Sequence, residues 1–179
     1  MSGAHWGGVI DLDNGSTTTR FEIAKQAILD AISAYEDQGT SVDVNLTLFN
    51  SGASNIGWMS ADETEAYLAK LTMTTDGFIK FDGKPITDLT GNSTDYKDAL
   101  DATETISFDG HTATKNVAYF ISDGNPNNNK SKVDDELDED IVQWGAFINN
   151  AENPIDLNVV GIGSGISSTS LDIIQVMVM

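Results

Sequence analysis

Apolar residues recur at helical spacing in several segments of the chain, and the longest of these is residues 20–37. Within it, Phe, Ala, Ile and Tyr side chains return with the period of an amphipathic helix. Thr19 and Glu22 have the spacing of a capping box at its start, and Gly39 lies just beyond its end. The same kind of pattern predicts helices over residues 60–71, 95–106 and 134–150.

Short segments of alternating or unbroken apolar character lie between these helices and predict β-strands. Residues 42–48 alternate between apolar and polar, whereas residues 116–122 (NVAYFIS) and 157–162 read as buried strands. Helices alternating with such strands favour a single α/β domain over residues 1–179, with a doubly wound, mainly parallel central sheet covered by helices on both faces. The final segment IIQVMVM, residues 173–179, has the character of a central strand of that sheet.

The charge of the chain argues against nucleic-acid binding. The chain carries 28 acidic and 9 basic residues and a formal charge of −19, and a protein that binds nucleic acid needs a basic surface. Cations suit such a chain, either in calcium- or salt-rich surroundings or at carboxylate metal sites. The absence of cysteine excludes disulfides, zinc-thiolate sites and thiol catalysis. Neither an apolar run of about 18 residues nor a signal-peptide pattern is present, so membrane insertion is not expected.

Two candidate site residues are identified by their positions in the predicted α/β sheet. In such a sheet the loops after the carboxyl ends of the strands form the ligand crevice, and Asp123 comes directly after the strand at residues 116–122. Its carboxylate can coordinate a hard cation, and Gly124 permits a sharp turn beside it. Thr94 ends the long loop at residues 74–94, where its hydroxyl can bind a metal. The alternatives are a turn residue for Asp123 and a helix cap for Thr94.

The segment VIDLDNGSTTTR is dense in oxygen ligands immediately before a helix. Asp11, Asp13 and Ser16 could supply metal ligands, or Asp11 could act as a nucleophile toward phosphate with Asp13 as the acid and base. A solvated turn is the third interpretation, and all of them stay open. The glycines after residue 160 do not have the spacing of a dinucleotide-binding loop, and the isolated histidines support neither a zinc site nor a catalytic triad.

Taken together, several segments resemble the von Willebrand factor type A (VWA) domain, most closely those of bacterial RTX-type surface adhesins. They are TTRFEIAKQAILDAISAY, VNLTLFNSGA, GWMS, GNSTDYKDALDA, NVAYFISDGNPN and VVGIGSG. The resemblance implies a doubly wound sheet and a metal-ion-dependent adhesion site, at which three loops hold Mg²⁺, Ca²⁺ or Mn²⁺ and an acidic partner group completes the coordination. Thr94 matches the second of these loops and Asp123 the third. The D-x-S-G-S motif of the first loop is absent.

The ends of the chain suggest where the first loop could be. The segment IIQVMVM resembles the strand that precedes D-x-S-G-S, and the opening MSGAHWGG resembles the stretch that comes after this motif in the family. We therefore expect a circularly permuted chain, or one cut at this loop, with Met1 and Met179 beside Asp123. In the alternative, Asp11, Asp13 and Ser16 serve as a degenerate first loop.

The resemblance implies a non-catalytic adhesion or ligand-binding domain of a large bacterial surface protein. Such a domain would bind a carboxylate-bearing protein or other ligand through one divalent cation (Mg²⁺, Ca²⁺ or Mn²⁺) held by Thr94 and Asp123, with help from Asp11, Asp13 and Ser16. We expect an extracellular, monomeric domain that neither binds nucleic acid nor inserts into a membrane. The alternatives are a haloacid-dehalogenase-like phosphatase using Asp11 and Asp13, and a structural spacer with a vestigial site.

Overall fold

The computed structural model describes residues 9–12, 15–74, 77–89, 93–111, 113–126, 133–163 and 174. The helices are α1 (Arg20–Glu36), α2 (Ala61–Lys70), α3 (Tyr96–Glu104) and α4 (Val133–Ile148). The strands are β1 (Val9–Asp11), β2 (Thr17–Thr19), β3 (Asp43–Phe49), β4 (Ala53–Ser60), β5 (Leu71–Met73), β6 (Ile79–Phe81), β7 (Lys84–Pro85), β8 (Asn116–Ser122) and β9 (Ile155–Gly161). The domain is therefore of the α/β class, as the sequence predicts.

The predicted helices are confirmed to within a few residues, and the predicted capping residues lie at their starts. The Thr19 hydroxyl accepts a hydrogen bond from the Glu22 amide at 3.1 Å and caps α1. Beyond the end of α1, Gly39 has φ +78°, which suits the exit from a helix. At the start of α2, Ser60 and Glu63 form a complete capping box. The helical spacing of apolar side chains and the capping residues thus place these helices correctly.

The predicted doubly wound, mainly parallel sheet is wrong for the residues that the structure describes. They form four small sheets, in which the pairs β1–β2, β3–β4, β5–β6 and β6–β7 are antiparallel. The one parallel pair among them is β8–β9, whose strands are joined through α4. The reason is the length of the connections: residues 50–52 are too few for a crossover, so β3 must return antiparallel as β4.

The buried apolar side chains of the described residues form two clusters. The first lies between α1, α2 and β3 and comprises Phe21, Leu46, Leu48, Leu68, Leu71, Ile79 and Leu89. The second lies between α3, α4 and β8 and comprises Tyr96, Ala99, Leu100, Phe120, Trp144, Ile148 and Ile174. The rings of Phe49 and Phe120 stack with centroids 5.3 Å apart, so the end of β3 lies next to β8.

Ile174 is the described residue of the segment IIQVMVM. Its side chain is fully buried in the second cluster, and its backbone is helical. The predicted central strand over residues 173–179 is therefore wrong at this position, because an unbroken apolar run does not distinguish a buried helix from a buried strand. The rest of that segment, Met1 and Met179 lie outside the described residues.

Charged side chains are partly buried where α3 packs on α4. Lys97 Nζ lies 2.8 Å from Asp140 Oδ1 and 3.1 Å from Asp101 Oδ2. The hydrogen bond to Asp140 raises the pKa of Lys97, so the ammonium stays charged at neutral pH. Close by, Oε1 of Glu104 is buried without a hydrogen-bond partner among the described residues. Burial raises the pKa of the Glu104 carboxyl, and the charges of Asp101 and Asp140 raise it further.

We expect Glu104→Gln to stabilise the domain at neutral pH. A carboxyl whose pKa is raised by folding binds its proton more tightly in the folded state, so its contribution to stability is present below the ordinary pKa of 4.5 and is lost as the pH rises through the folded value. Glutamine has no such proton to lose. Urea denaturation at about pH 4 and about pH 7 should show nearly equal stability at the lower pH and a more stable variant at the higher. A difference that does not change with pH would contradict this explanation.

Candidate functional site

Asp123 comes directly after β8, at the carboxyl end of the parallel pair β8–β9. Its side chain is only 3% exposed, and its Oδ2 accepts a hydrogen bond from Nη1 of Arg20 at 3.3 Å. Arg20 is the first residue of α1, and its side chain is 11% exposed. The carboxylate predicted as a site residue is therefore buried and paired with a cation of the chain itself.

Thr94 lies against the turn that carries Asp123. A methyl group placed on Gly124 would come within 3.2 Å of the Thr94 hydroxyl oxygen, so this hydroxyl faces the backbone of Gly124. The alternative interpretation of Thr94 as the cap of α3 is wrong, because Asp95 is the cap and accepts a hydrogen bond from the Asp98 amide at 3.2 Å. The Thr94 hydroxyl therefore lies beside Gly124, the residue that follows Asp123, and the assignment of both as metal ligands stays a prediction.

Hydrogen bonds tie the loops around this point to one another. The Asp95 amide donates to the Asn50 carbonyl at 2.7 Å, which joins the start of α3 to the end of β3. The Tyr96 hydroxyl donates to the Gly124 carbonyl at 2.8 Å, and the Ser122 hydroxyl donates to the same oxygen at 3.0 Å. Burial raises the pKa of the Tyr96 hydroxyl, so it remains a donor at neutral pH. The site is thus held by the ends of β3 and β8 and the start of α3.

Gly163, two residues after β9, forms the other side of the site. Its φ is +99°, and a methyl group there would lie 2.8 Å from Nε and 2.9 Å from Cζ of Arg20. The guanidinium therefore rests on the backbone of Gly163, where a larger residue would displace it. The Ile162 amide donates to the Ser122 carbonyl at 2.8 Å and keeps this strand exit beside β8.

Sequence reasoning missed both Arg20 and Gly163. A signal for Arg20 is present in the sequence: a cation in the first turn of a helix is disfavoured by the helix dipole, so an arginine there needs another partner. Arg20 is moreover the single arginine of the chain, since the other basic residues are lysines. For Gly163, the glycines after β9 indicate a flexible exit and give no hint of the side chain that rests on them.

Asp11 and Ser16 lie on the β1–β2 hairpin. Both are exposed, and Asp11 pairs with Thr17 in the antiparallel ladder. The Leu12 amide donates to the Ser16 carbonyl at 2.8 Å and closes the turn. Asp13 lies outside the described residues. This hairpin runs directly into Arg20, so it is adjacent to the site along the chain, but its carboxylate does not share the burial of Asp123. The phosphatase interpretation of Asp11 and Asp13 stays a prediction.

The donor atoms at Asp123 fit the chemistry of a hard divalent cation. Mg²⁺, Ca²⁺ and Mn²⁺ prefer carboxylate, hydroxyl and water oxygens, and Asp123 and Thr94 offer the first two. No group of three or more His, Cys, Asp or Glu side chains placed to share an ion occurs in the described part of the chain. A full sphere of about six oxygens would therefore need water, the partner or further residues of the chain.

A separate shallow depression of about 400 Å³ lies at the opposite end of β8 and β9. It is lined by Tyr35, Lys115, Val117, Tyr119, Asp156, Leu157 and Asn158. Lys115 and Asp156 form an ion pair there at 2.7 Å, with side chains 62% and 68% exposed. The candidate site is at Asp123, which has the buried carboxylate, and the exposed pair is a matched control for it.

Comparison with known proteins adds support for the fold alone. Neither the protein-family models nor the curated proteins contain a match to this chain. Among solved structures, the chain is similar to proximal thread matrix protein 1 (PTMP1) from the mussel byssus, with a TM-score of 0.55 and 14% sequence identity. The match covers 86% of this chain and 34% of that protein, so the chain spans about a third of its length. No helix among the described residues is long and apolar enough to cross a membrane.

Proposed function

We propose that this chain is a non-catalytic ligand-binding domain of the VWA type, which binds an acidic partner group through one divalent cation at Asp123 and Thr94. The observation that carries the proposal is that the buried Asp123 carboxylate lies at the carboxyl end of β8, while the Thr94 hydroxyl lies against the next residue, Gly124. Ligand crevices of α/β sheets lie at this end of the strands. In this proposal the domain belongs to a large bacterial surface protein and acts outside the cell.

Each residue of the site would have a separate role in binding the cation. Asp123 would supply a carboxylate oxygen, and Thr94 would supply a hydroxyl oxygen on the other side of Gly124. Tyr96 and Ser122 would hold the Gly124 carbonyl in place through their hydrogen bonds, which orients the turn that carries Asp123. The cation, when bound, would supply the positive charge that receives the carboxylate of the partner.

Two further features support the proposal. The unit β8–α4–β9, two parallel strands joined by a helix, is the building block of the doubly wound fold that the VWA resemblance implies. The formal charge of −19 suits surroundings rich in divalent cations, because they screen the mutual repulsion of the carboxylates. An extracellular setting provides such cations.

Titration of the chain with Mg²⁺, Ca²⁺ and Mn²⁺ tests this proposal, followed by binding of the loaded domain to a surface bearing carboxylates. We expect the wild type to bind the surface only with a divalent cation present and to be released by a chelator. Asp123→Asn should lose both cation and surface binding, and Thr94→Val should weaken both. Asp156→Asn, which removes the same charge from the exposed pair, should behave as the wild type.

The contact between Arg20 and Asp123 favours a second candidate function, a structural spacer whose site binds no metal. In that case a cation of the chain permanently satisfies the buried carboxylate. Calorimetric traces without heat of binding for any of the three cations would support the spacer and would overturn the adhesion proposal. Cation binding without any surface binding would retain the metal site and remove the carboxylate partner.

A further inference from the structure

The guanidinium of Arg20 occupies the space between the two strand exits of the site. On one side its Nη1 donates to Asp123 Oδ2 at 3.3 Å. On the other side its Nε, Cζ and Nη2 lie 2.8, 2.9 and 3.1 Å from the position that a methyl group on Gly163 would take. The planar group is therefore seated on the backbone of Gly163 with one edge toward the carboxylate, and both Arg20 and Asp123 are buried.

An arginine at this position is unfavourable without a partner, for two reasons. The side chain begins at the first residue of α1, where the positive end of the helix dipole repels a cation. Removal of a guanidinium from water is also unfavourable unless a carboxylate receives it. Asp123 is the ion-pair partner that the structure gives it. The chain has 28 acidic residues and a single arginine, and that arginine contacts a buried carboxylate.

We infer that Arg20 is the resident cation of the site and competes with the divalent cation for Asp123. This inference rests on the proposed function, since it assigns a role to Arg20 within the same site. Without a divalent cation, the guanidinium neutralises Asp123 and keeps the strand exits together. Repulsion between the two cations makes binding of a divalent cation at Asp123 less favourable while the guanidinium contacts the carboxylate, and more favourable once the guanidinium has moved away.

The competition sets how tightly the site binds metal. The apparent affinity for a divalent cation is lowered by the fraction of molecules in which the guanidinium holds Asp123. The site would then be occupied in cation-rich surroundings and closed by Arg20 in cation-poor ones. Arg20 is thus a positioning residue that decides when the acidic partner can bind.

Arg20→Gln tests the inference, with Ca²⁺ and Mg²⁺ alone as the probes. Binding is measured by calorimetry, and the thermal unfolding midpoint is measured with chelator and with each cation. We expect the variant to have a lower midpoint than the wild type in chelator, to bind the cation at least about tenfold more tightly, and to gain more in midpoint when the cation is added. Asp123→Asn combined with Arg20→Gln should show neither binding nor this gain.

Lys115→Gln is the matched control, because it removes one positive charge from the exposed pair with Asp156 at the far end of β8. Its cation affinity should remain that of the wild type, which separates competition at Asp123 from a general effect of net charge. Arg20→Lys keeps the positive charge but lacks the planar guanidinium. It is the variant to measure if Arg20→Gln does not fold. Its affinity should lie between those of the wild type and Arg20→Gln.

Equal cation affinity in the wild type, Arg20→Gln and Arg20→Lys would overturn the competition and leave the metal site intact. An equal gain in affinity for Arg20→Gln and Lys115→Gln would overturn it as well, since net charge alone would then explain the change. Tight cation binding that fails to produce any binding to a carboxylate surface would overturn the proposed function and leave the competition standing. The two ideas can therefore fail separately.

Discussion

Asp123→Asn is expected to lower the free energy of unfolding by about 3–5 kcal/mol in chelator, the cost of breaking a buried ion pair by removing one partner. The amide that replaces the carboxylate cannot neutralise the guanidinium of Arg20. Both side chains are nearly inaccessible to water, with exposures of 11% and 3% for Arg20 and Asp123, so solvent screens the lost interaction little. The expected effect is therefore large for a change of a single atom type.

Asp156→Asn provides the comparison for this prediction in the same parallel pair of strands. Its ion pair with Lys115 is shorter, at 2.7 Å, but both side chains are more than half exposed. Exposed pairs contribute little because water screens them, so burial and not distance should decide the outcome. Urea denaturation of both variants at equal ionic strength measures the contrast. Equal losses of stability would mean that water screens the Arg20–Asp123 pair as well.

Local structure can be predicted from the sequence because its causes are local. The period of apolar residues and the capping residues Thr19 and Ser60 mark the starts of α1 and α2, and the predicted bounds of β8 are the observed ones, Asn116–Ser122. In each case the signal lies in side chains within one turn or one strand of the feature. No partner elsewhere in the chain has to be known.

Strand pairing cannot be predicted in the same way. The alternation of residues 42–48 indicates that one face of β3 is buried, but it does not indicate whether the neighbouring strand runs parallel or antiparallel. The β1–β2 hairpin likewise resembles a site loop in the sequence, because Asp11 and Ser16 are suitable ligands in any backbone conformation. The short connection at residues 50–52 is the available evidence for an antiparallel return.

The same distinction between local and long-range causes applies to the residues of the candidate site. Asp123 and Thr94 stand out in the sequence as candidate ligands because each has a recognisable place, directly after a strand and directly before the capped start of a helix. Arg20 does not, since its role depends on Asp123 and Gly163, both more than a hundred residues away in the chain. Oxygen-bearing side chains are visible in a sequence, whereas the arginine that pairs with one of them is visible only once the chain is folded.

Ile174→Ala is the second change from which we expect a large effect, a loss of about 2–5 kcal/mol in the free energy of unfolding. The Ile174 side chain has 0% exposure and packs in the second cluster with Trp144 and Tyr96. Alanine would remove its apolar contacts and leave a cavity among large rings that cannot collapse easily. Ile174→Val should lose about 0.5–1.5 kcal/mol, because the cavity is then a single methylene group.

Val142→Ala is the control for this prediction. The Val142 side chain is 70% exposed on α4, so its removal should change the free energy of unfolding by no more than about 0.5 kcal/mol.

The cavity left by Ile174→Ala should also disturb the candidate site, because Tyr96 belongs to the same cluster and its hydroxyl donates a hydrogen bond to the Gly124 carbonyl. Cation affinity should therefore fall in Ile174→Ala and stay unchanged in Val142→Ala. If Ile174→Ala unfolds at the same urea concentration as Val142→Ala and the wild type, Ile174 does not stabilise the packing of α3 on α4, and the prediction is wrong.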